Sequence, residues 1–338
     1  MKDVFLYNSL QAFGRFCDKQ KIITAFLTRL PDGLMPTRLA GTSCNNDLEV
    51  EAEYPPWNPT FTLEVLSLSN CKLNNHTGVI PSFLYGQHDL TQVDLSHNNL
   101  SGQFPTWLLE NNPKLAYLNL RNNSFRGTFH LPLYSNNMTL LQLDISNNYI
   151  SGQLSSNIGT LLPNLQSLNM SRNSFRGSIP PSVGNMTRLR TFDLSDNNFS
   201  GEIPEHVASG CVDMQFLRLS NNNLHGRIFS TSFNMTNLRY LFLDYNHFMG
   251  TLPPSVYNAS LLKILGIEED NISGRIESLP LHLSFSFSLS LPLLAPTSAL
   301  SIFLSPPPPF LSLSFSLITV HPLPPSLPLL FCHSRPNK

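Results

Sequence analysis

Residues 189–204 read LRTFDLSDNNFSGEIP, and close variants of this stretch recur along the middle of the chain. Nine copies follow the pattern L-x-x-L-x-L-x-x-N-x-L-x-G-x-x-P with a period of 24 to 27 residues. A period this regular indicates stacked coils that each contact only their neighbours. We number the coils one to nine from their first leucine-type residues, which are Leu63, Leu90, Leu115, Leu140, Leu165, Leu189, Met214, Leu238 and Leu262. Such a stack presents a long surface, which favours binding over catalysis.

Each copy contains a short strand, which is followed in seven of the nine copies by an asparagine. In coil six, Phe192 and Leu194 alternate with polar neighbours, which is typical of a half-buried strand. Because an asparagine side chain both donates and accepts hydrogen bonds, Asn197 can satisfy the turning backbone of adjacent coils. The same ladder position holds Asn98, Asn123, Asn148, Asn173, Asn222 and Asn246. Cys71 takes this place in coil one and Asp270 in coil nine, so these coils are predicted to end the regular array.

The motif L-S-x-N-N-x-S-G-x-I-P is carried by LSHNNLSGQFP at 95–105, LSDNNFSGEIP at 194–204 and LSNNNLHGRIF at 219–229. It resembles the plant extracellular leucine-rich repeat of receptor-like proteins and of receptor-like kinase ectodomains. The resemblance covers about residues 61–277. It implies an α/β solenoid, a curved leucine-rich-repeat horseshoe or superhelix. A parallel β-sheet is expected on its concave face, opposite a convex side that is mostly irregular or 3-10.

The repeat limits predict three segments: an irregular N-terminal segment at 1–47, a leucine-rich-repeat domain at 48–277 with repeats over 63–277, and a tail at 278–338. The stretch 278–332 is almost wholly Ser, Leu, Pro and Phe and has no charged residue. Proline interrupts every apolar run there before the ~20 residues that a membrane span needs. We therefore expect no packed structure in the tail, as either mistranslated sequence or a proline-rich ligand segment.

The ends of the chain differ from those that the resemblance implies. Residues 1–10 lack the apolar run of a signal peptide. As written, the chain is expected to have no signal peptide and no transmembrane helix, although the family is plasma-membrane or extracellular. The resemblance also implies a cysteine pair in a cap at each end. No such pair is evident, and Cys71 and Cys211 are predicted to be reduced and buried.

Composition excludes several classes of function. The net charge of −1 gives no preference for nucleic acid or a membrane surface. The histidines and cysteines form no metal-binding motif, and no nucleophile, carboxylate pair or phosphate loop stands out. We expect a protein that is not an enzyme, with no cofactor and no metal. Nothing implies an obligate homo-oligomer.

Sequons for N-glycosylation are dense in the chain. Some follow automatically from the N-N-x-S-G consensus, but six lie outside it and favour an ancestry in the secretory route. These candidate glycosylation sites are Asn75, Asn137, Asn169, Asn185, Asn234 and Asn258. A glycan at Asn169 is expected to block the middle of the concave face.

The candidate ligand site lies on the concave face of coils seven and eight. Most outward strand residues are small or polar, but these coils present Phe216, Arg218, Tyr240, Phe242, Asp244 and Tyr245. Exposed aromatic residues and arginine are typical of binding hot spots. The alternative is cross-strand stacking for stability alone. Tyr117 with Arg121 forms a weaker second candidate.

Two classes of function remain open. The first is a recognition module of a plant receptor-like protein in cell-surface signalling or defence. Such a module binds a peptide, glycan or protein ligand, and a co-receptor kinase is a further candidate partner. The second is a secreted inhibitor of a microbial cell-wall hydrolase, similar to polygalacturonase inhibitors. A third reading is a truncated receptor fragment with no independent activity.

Overall fold

The computed structural model describes residues 38–40, 50, 52–53, 62–132, 138–229, 234–252, 256, 259–268, 270–272 and 284–286. The chain divides into two units, 1–287 and 288–338, and every described residue belongs to the first. The first unit is a stack of coils with one sheet on each of two sides.

The main sheet has eleven parallel strands, and each pairs with the strands of the coils before and after it. The strands are Arg38–Ala40, Val65–Ser67, Gln92–Asp94, Tyr117–Asn119, Gln142–Asp144, Ser167–Asn169, Thr191–Asp193, Phe216–Arg218, Tyr240–Phe242, Ile264–Gly266 and Ser284–Ser286. The nine strands predicted for coils one to nine are all present and in register, which confirms the predicted repeat fold.

The main sheet extends beyond the predicted repeats by one strand at each end. Residues 38–40 pair with Val65–Ser67, and Ser284–Ser286 pairs with Ile264–Gly266. These strands fall in segments for which we expected no repeat structure. The expectation that the tail makes no contact with the array is therefore wrong at 284–286. A parallel edge offers unpaired backbone groups to any extended segment, whatever its side chains.

A second sheet of eight parallel strands begins just after the ladder asparagines. Its strands are Ser101–Gln103, Ser124–Thr128, Tyr149–Gly152, Ser174–Gly177, Asn198–Gly201, Asn223–Arg227, His247–Gly250 and Asn271–Ile272. We did not predict it, because the N-x-L-x-G segment reads as a turn. Gly226 lies within the strand Asn223–Arg227 and has a φ of +84°, a conformation that suits glycine.

Short helical segments close the coils between the two sheets. The α-helices are Thr106–Asn111, Ile158–Leu161 and Glu205–Gly210, and the 3-10 helices are Ser82–Gly86 and Pro181–Asn185. Proline precedes or begins four of the five segments, at Pro81, Pro105, Pro181 and Pro204. Proline suits this position because its fixed φ matches the first helical turn and its missing N–H has no partner there.

The core fills the interior between the sheets. The first leucine-type residue of every coil is at most 2% exposed. The central residue of each strand from coils one to nine is also buried, so the period-two alternation in the sequence describes the fold correctly. Aromatic rings continue the packing from coil to coil: the ring centroids of Phe175 and Phe199 lie 6.0 Å apart.

The asparagine ladder joins neighbouring coils as predicted. The Oδ1 atom of Asn123 accepts hydrogen bonds from the backbone N–H groups of Asn98 and Leu100 at 3.3 and 2.8 Å. Its Nδ2 atom donates to the carbonyl oxygens of Leu95 and Leu120, both at 2.9 Å. One amide thus satisfies backbone groups of two coils that are shielded from water.

Coil one is closed by residues that precede it. The Ala52 N–H donates to Oδ1 of the buried Asn74 at 2.8 Å, and the Val50 N–H donates to the Cys71 carbonyl oxygen at 3.2 Å. Cys71 is disulfide-bonded, so the prediction that it is reduced is wrong. The sequence gives no spacing that identifies the partner of Cys71. Cys211 is free and buried, as predicted.

Candidate ligand-binding surface

The outward side chains of the main sheet form the predicted concave face. In coils two to six its central row is Asp94, Asn119, Asp144, Asn169 and Asp193. These side chains brace the following turn: the backbone N–H and the hydroxyl of Ser146 donate to Asp144 Oδ1 at 2.9 and 2.6 Å. Asp193 makes the same contacts with Ser195. Much of this row is therefore committed to local structure.

Coils seven and eight differ, because their outward residues form an aromatic–arginine patch, which we define as Phe216, Arg218, Tyr240 and Phe242. The ring centroid of Phe216 lies 5.7 Å from that of Tyr240 and 5.8 Å from that of Phe242. The Arg218 guanidinium carbon lies 5.1 Å from the Phe216 centroid and 4.9 Å from the Phe242 centroid. All four side chains are half-buried, so they stack on one another and also remain accessible.

Asp193 is the charge partner of Arg218 in the aromatic–arginine patch. The sequence did not lead us to predict this pair. Arg218 Nη1 lies 3.8 Å from Asp193 Oδ2. Burial raises the pKa of Asp193, against hydrogen bonds from Ser195 and the charge of Arg218, which lower it. The signal was available in the repeat register, since Asp193 and Arg218 occupy the same position in successive coils.

Asp244 and Tyr245 belong to the turn toward coil nine rather than to the ring stack. Asp244 Oδ1 accepts a hydrogen bond from the Glu268 N–H at 3.1 Å, and Oδ2 accepts one from the Ser220 hydroxyl at 3.1 Å. The absence of a side chain at Gly266 makes room for this carboxylate, since a Cβ there would lie 2.5 Å from Oδ2. Tyr245 is 47% exposed, and its hydroxyl donates to Glu268 Oε1 at 3.0 Å.

Tyr117 and Arg121 lie in coil three, four strands away from coil seven, which is roughly 20 Å at ordinary strand spacing. The Tyr117 hydroxyl accepts a hydrogen bond from Asn119 Nδ2 at 3.3 Å. Burial, followed by the charge of Asp94, raises the Tyr117 pKa. This second candidate is therefore separate from the aromatic–arginine patch.

The described sequons outside the consensus fall into two groups. Asn75, Asn185 and Asn234 are exposed. Asn169 is half-buried, accepts hydrogen bonds from Ser171 through Oδ1 and donates to Asp144 Oδ2 at 3.3 Å. A glycan on Asn169 would replace that last contact. Asn137 and Asn258 lie outside the described residues.

Among the described residues, no three histidine, cysteine or carboxylate side chains converge as metal ligands. No helix within the described ranges has the length and apolar character needed to cross a bilayer.

The repeats match known leucine-rich-repeat families. A leucine-rich-repeat family model matches residues 163–224, and a second one matches 62–86, 89–111, 139–161 and 237–259. Receptor-like protein 13 of Arabidopsis thaliana is 48% identical over 99 residues, which is 29% of this chain and 9% of that protein. The chain carries leucine-rich repeats and is similar to plant leucine-rich-repeat receptor-like proteins. It spans about a tenth of the length of the curated relatives that it matches.

Two solved plant receptor structures resemble the chain. The plant peptide hormone receptor RGFR1 in complex with RGF2 has a TM-score of 0.57 at 28% identity, covering 68% of this chain and 38% of that one. The Arabidopsis receptor kinase HAESA, in complex with the peptide hormone IDA and the co-receptor SERK1, has a TM-score of 0.58 at 29% identity, with coverage of 67% and 38%.

Proposed function

We propose that this chain is a ligand-recognition module of a plant cell-surface receptor-like protein that acts in signalling or defence. The observation that carries the proposal is the aromatic–arginine patch. It presents accessible rings and a guanidinium on a sheet face whose other side chains are mostly engaged in turns. The receptor names of the relatives support this function over that of a hydrolase inhibitor.

The chemistry of the aromatic–arginine patch suits a peptide. Rings supply broad apolar contact at low entropic cost, while Arg218 retains guanidinium N–H groups for carbonyl or carboxylate oxygens. Asp193 holds the Arg218 guanidinium in place, so the arginine side chain loses little conformational entropy when a ligand binds. We extend the proposal to a co-receptor kinase as a second partner, by analogy with the HAESA complex.

The test is a selection of peptides from a random display library on the wild-type chain, followed by affinity measurements on variants. Tyr240→Ala and Phe242→Ala should each weaken the selected peptides by roughly 30-fold or more, which is about 2 kcal/mol. Gln142→Ala is the matched control, because Gln142 is exposed at the same strand position as Tyr240 but in coil four. Equal affinity for wild type and both aromatic variants would contradict the proposal, as would a selection that yields no binder.

A further inference from the structure

A polar cavity of about 380 Å³ lies along the turns of coils one to four, on the ladder side of the stack. It is bordered by Lys72, Asn75, His97, Asn99, Asn147 and Tyr149. Its volume is in the range of ordinary small-molecule sites, ~300–1,000 Å³. The cavity is remote from the aromatic–arginine patch in coils seven and eight, and its function does not depend on that patch.

The floor of the cavity is rigid. It is formed by the ladder residues Asn98, Asn123 and Asn148, whose Nδ2 atoms each donate to backbone carbonyl oxygens of two coils. Because these amides are already hydrogen-bonded to the backbone, they fix the shape of the floor, and the side chains at the rim are the groups that can bond a ligand.

The rim carries a directional chain of hydrogen bonds. Asn147 Nδ2 donates to Asn122 Oδ1, and Asn122 Nδ2 donates to His97 Nδ1 at 2.8 Å. An amide nitrogen can only donate, so His97 Nδ1 accepts and the neutral ring carries its proton on Nε2. The chain uses one N–H of each amide. The second N–H of Asn122, the second N–H of Asn147 and the Asn147 Oδ1 atom are left for a ligand.

The charge around the cavity is close to neutral. No carboxylate borders it, and Lys72 is its cation. Burial, and then the nearby charge of Arg121, lower the pKa of His97, which keeps the imidazole uncharged near neutral pH. A lining of amides, a hydroxyl and a neutral imidazole offers paired donors and acceptors, as a ligand rich in hydroxyl groups requires.

An aromatic face completes the border. Tyr149 is 65% exposed, the largest exposed fraction among the large apolar side chains of the described residues. The face of an aromatic ring is electron-rich, so it attracts the weakly positive C–H groups on the flat side of a sugar ring. A pyranose can therefore stack its C–H groups on the aromatic ring while its hydroxyl groups bond the neighbouring amides.

We propose that this cavity, the turn-face cavity, binds a neutral saccharide, with Tyr149 stacking on the sugar ring and Asn122, Asn147 and His97 bonding its hydroxyl groups. Two sources can supply that chemistry. One is a free oligosaccharide. The other is the chain's own N-linked glycan, because the bordering residues Asn75, Asn99 and Asn122 each begin an N-x-S/T sequon.

The experiment uses the full chain made without glycans in bacteria and with glycans in a plant secretory host. Chitotetraose, cellotetraose and mannotetraose are titrated by calorimetry and saturation-transfer NMR. The unglycosylated chain should bind at least one of them, and Tyr149→Ala should weaken that binding at least tenfold. Asn147→Gly should also weaken it, since glycine tolerates the φ of +54° at this position while removing the amide.

The matched control is Tyr85→Ala, which removes an exposed tyrosine that stacks on Trp107 away from the cavity and should leave binding unchanged. Binding by both preparations identifies a free oligosaccharide as the ligand. Binding by the unglycosylated chain alone identifies the protein's own glycan as the occupant. The proposal is overturned if no tetrasaccharide binds, if Tyr149→Ala binds as wild type does, or if inorganic phosphate displaces the sugar.

Discussion

Asp270 Oδ1 accepts a hydrogen bond from the backbone N–H of Phe248 at 3.1 Å, while its Oδ2 is buried without a partner among the described residues. Asp270 stands where the preceding coils carry the ladder asparagine. There the second side-chain atom is an N–H₂ group that donates to carbonyl oxygens, as Asn246 Nδ2 does to Leu243 at 2.8 Å. A carboxylate cannot donate, so coil nine keeps half of the ladder contact and loses the other half unless the acid is protonated.

This contact predicts a pH-dependent stability. Burial raises the pKa of Asp270 from 3.8 to about 7, aided by the charge of Asp244 and opposed by the Phe248 and Asn246 backbone hydrogen bonds. A raised pKa means that the folded state binds the proton more tightly. The stabilisation is therefore complete below about pH 4 and is lost as the pH rises through about 7.

The measurement is thermal unfolding of the full chain between about pH 4 and pH 8, for wild type and Asp270→Asn. Asp270→Asn should remove this part of the pH dependence and stabilise the protein at pH 8 by roughly 1–3 kcal/mol, the usual cost of a buried unsatisfied group. Parallel stability profiles for the two proteins would show that Asp270 does not titrate in this way.

Removing a complete ladder amide should cost more than altering the end of the ladder. Asn123→Ala abolishes two acceptor contacts and the donor contacts to Leu95 and Leu120 in the buried interior. We expect a loss of at least about 2 kcal/mol in the free energy of unfolding. The control is Asn221→Gly, since Asn221 is exposed and has a φ of +55°, and its side chain donates to Asp196 on the surface while its backbone hydrogen bond to Asp244 is kept in the variant. That variant should stay within about 0.5 kcal/mol of wild type.

Close packing of the coils on the helical side predicts that Gly184 cannot be replaced. A Cβ at Gly184 would lie 2.2 Å from the His206 backbone oxygen, and backbone cannot move aside as a side-chain tip can. Gly184→Ala should therefore destabilise the protein by about 1–3 kcal/mol or more. Gly86 ends the equivalent 3-10 segment of coil one and has nothing within 4 Å of its Cβ position. Chemical denaturation should show Gly86→Ala close to wild type, and equal losses for both variants would refute the steric explanation.

The repeat fold could be predicted because every coil repeats the same sequence pattern. Phe192, buried in its strand, and Asn197, bonded across coils, were assigned from alternation and from the chemistry of one amide. The second sheet could not be assigned in this way, because its short strands, such as Asn198–Gly201, pair only between coils and carry little local alternation. The Cys71 disulfide is likewise a relation between distant residues that no local pattern encodes.

The sequence predicted which residue types form the candidate site, but it predicted only in part which of those residues contact one another. Phe216, Arg218, Tyr240 and Phe242 do converge, since residues at one repeat position become neighbours in the sheet. Asp244 and Tyr245 were grouped with them by adjacency in sequence, but both contact Glu268 of coil nine, and Asp244 also bonds Ser220 of coil seven. Asn122 and Asn147 were treated as repeat consensus, although their turn positions give the turn-face cavity its rim.

The rings of the aromatic–arginine patch could stabilise the fold or bind a ligand, and mutation distinguishes the two roles. Phe216 is half-buried and its ring contacts Tyr240 and Phe242, so Phe216→Ala should lower the free energy of unfolding by only about 1 kcal/mol. Phe192 in the adjacent coil is fully buried, and Phe192→Ala should cost about 3–5 kcal/mol. A double-mutant cycle of Phe216 and Phe242 should give a coupling of about 0.5–1.5 kcal/mol. If Phe216→Ala costs as much as Phe192→Ala, the rings serve the fold, and the binding role proposed for them is unnecessary.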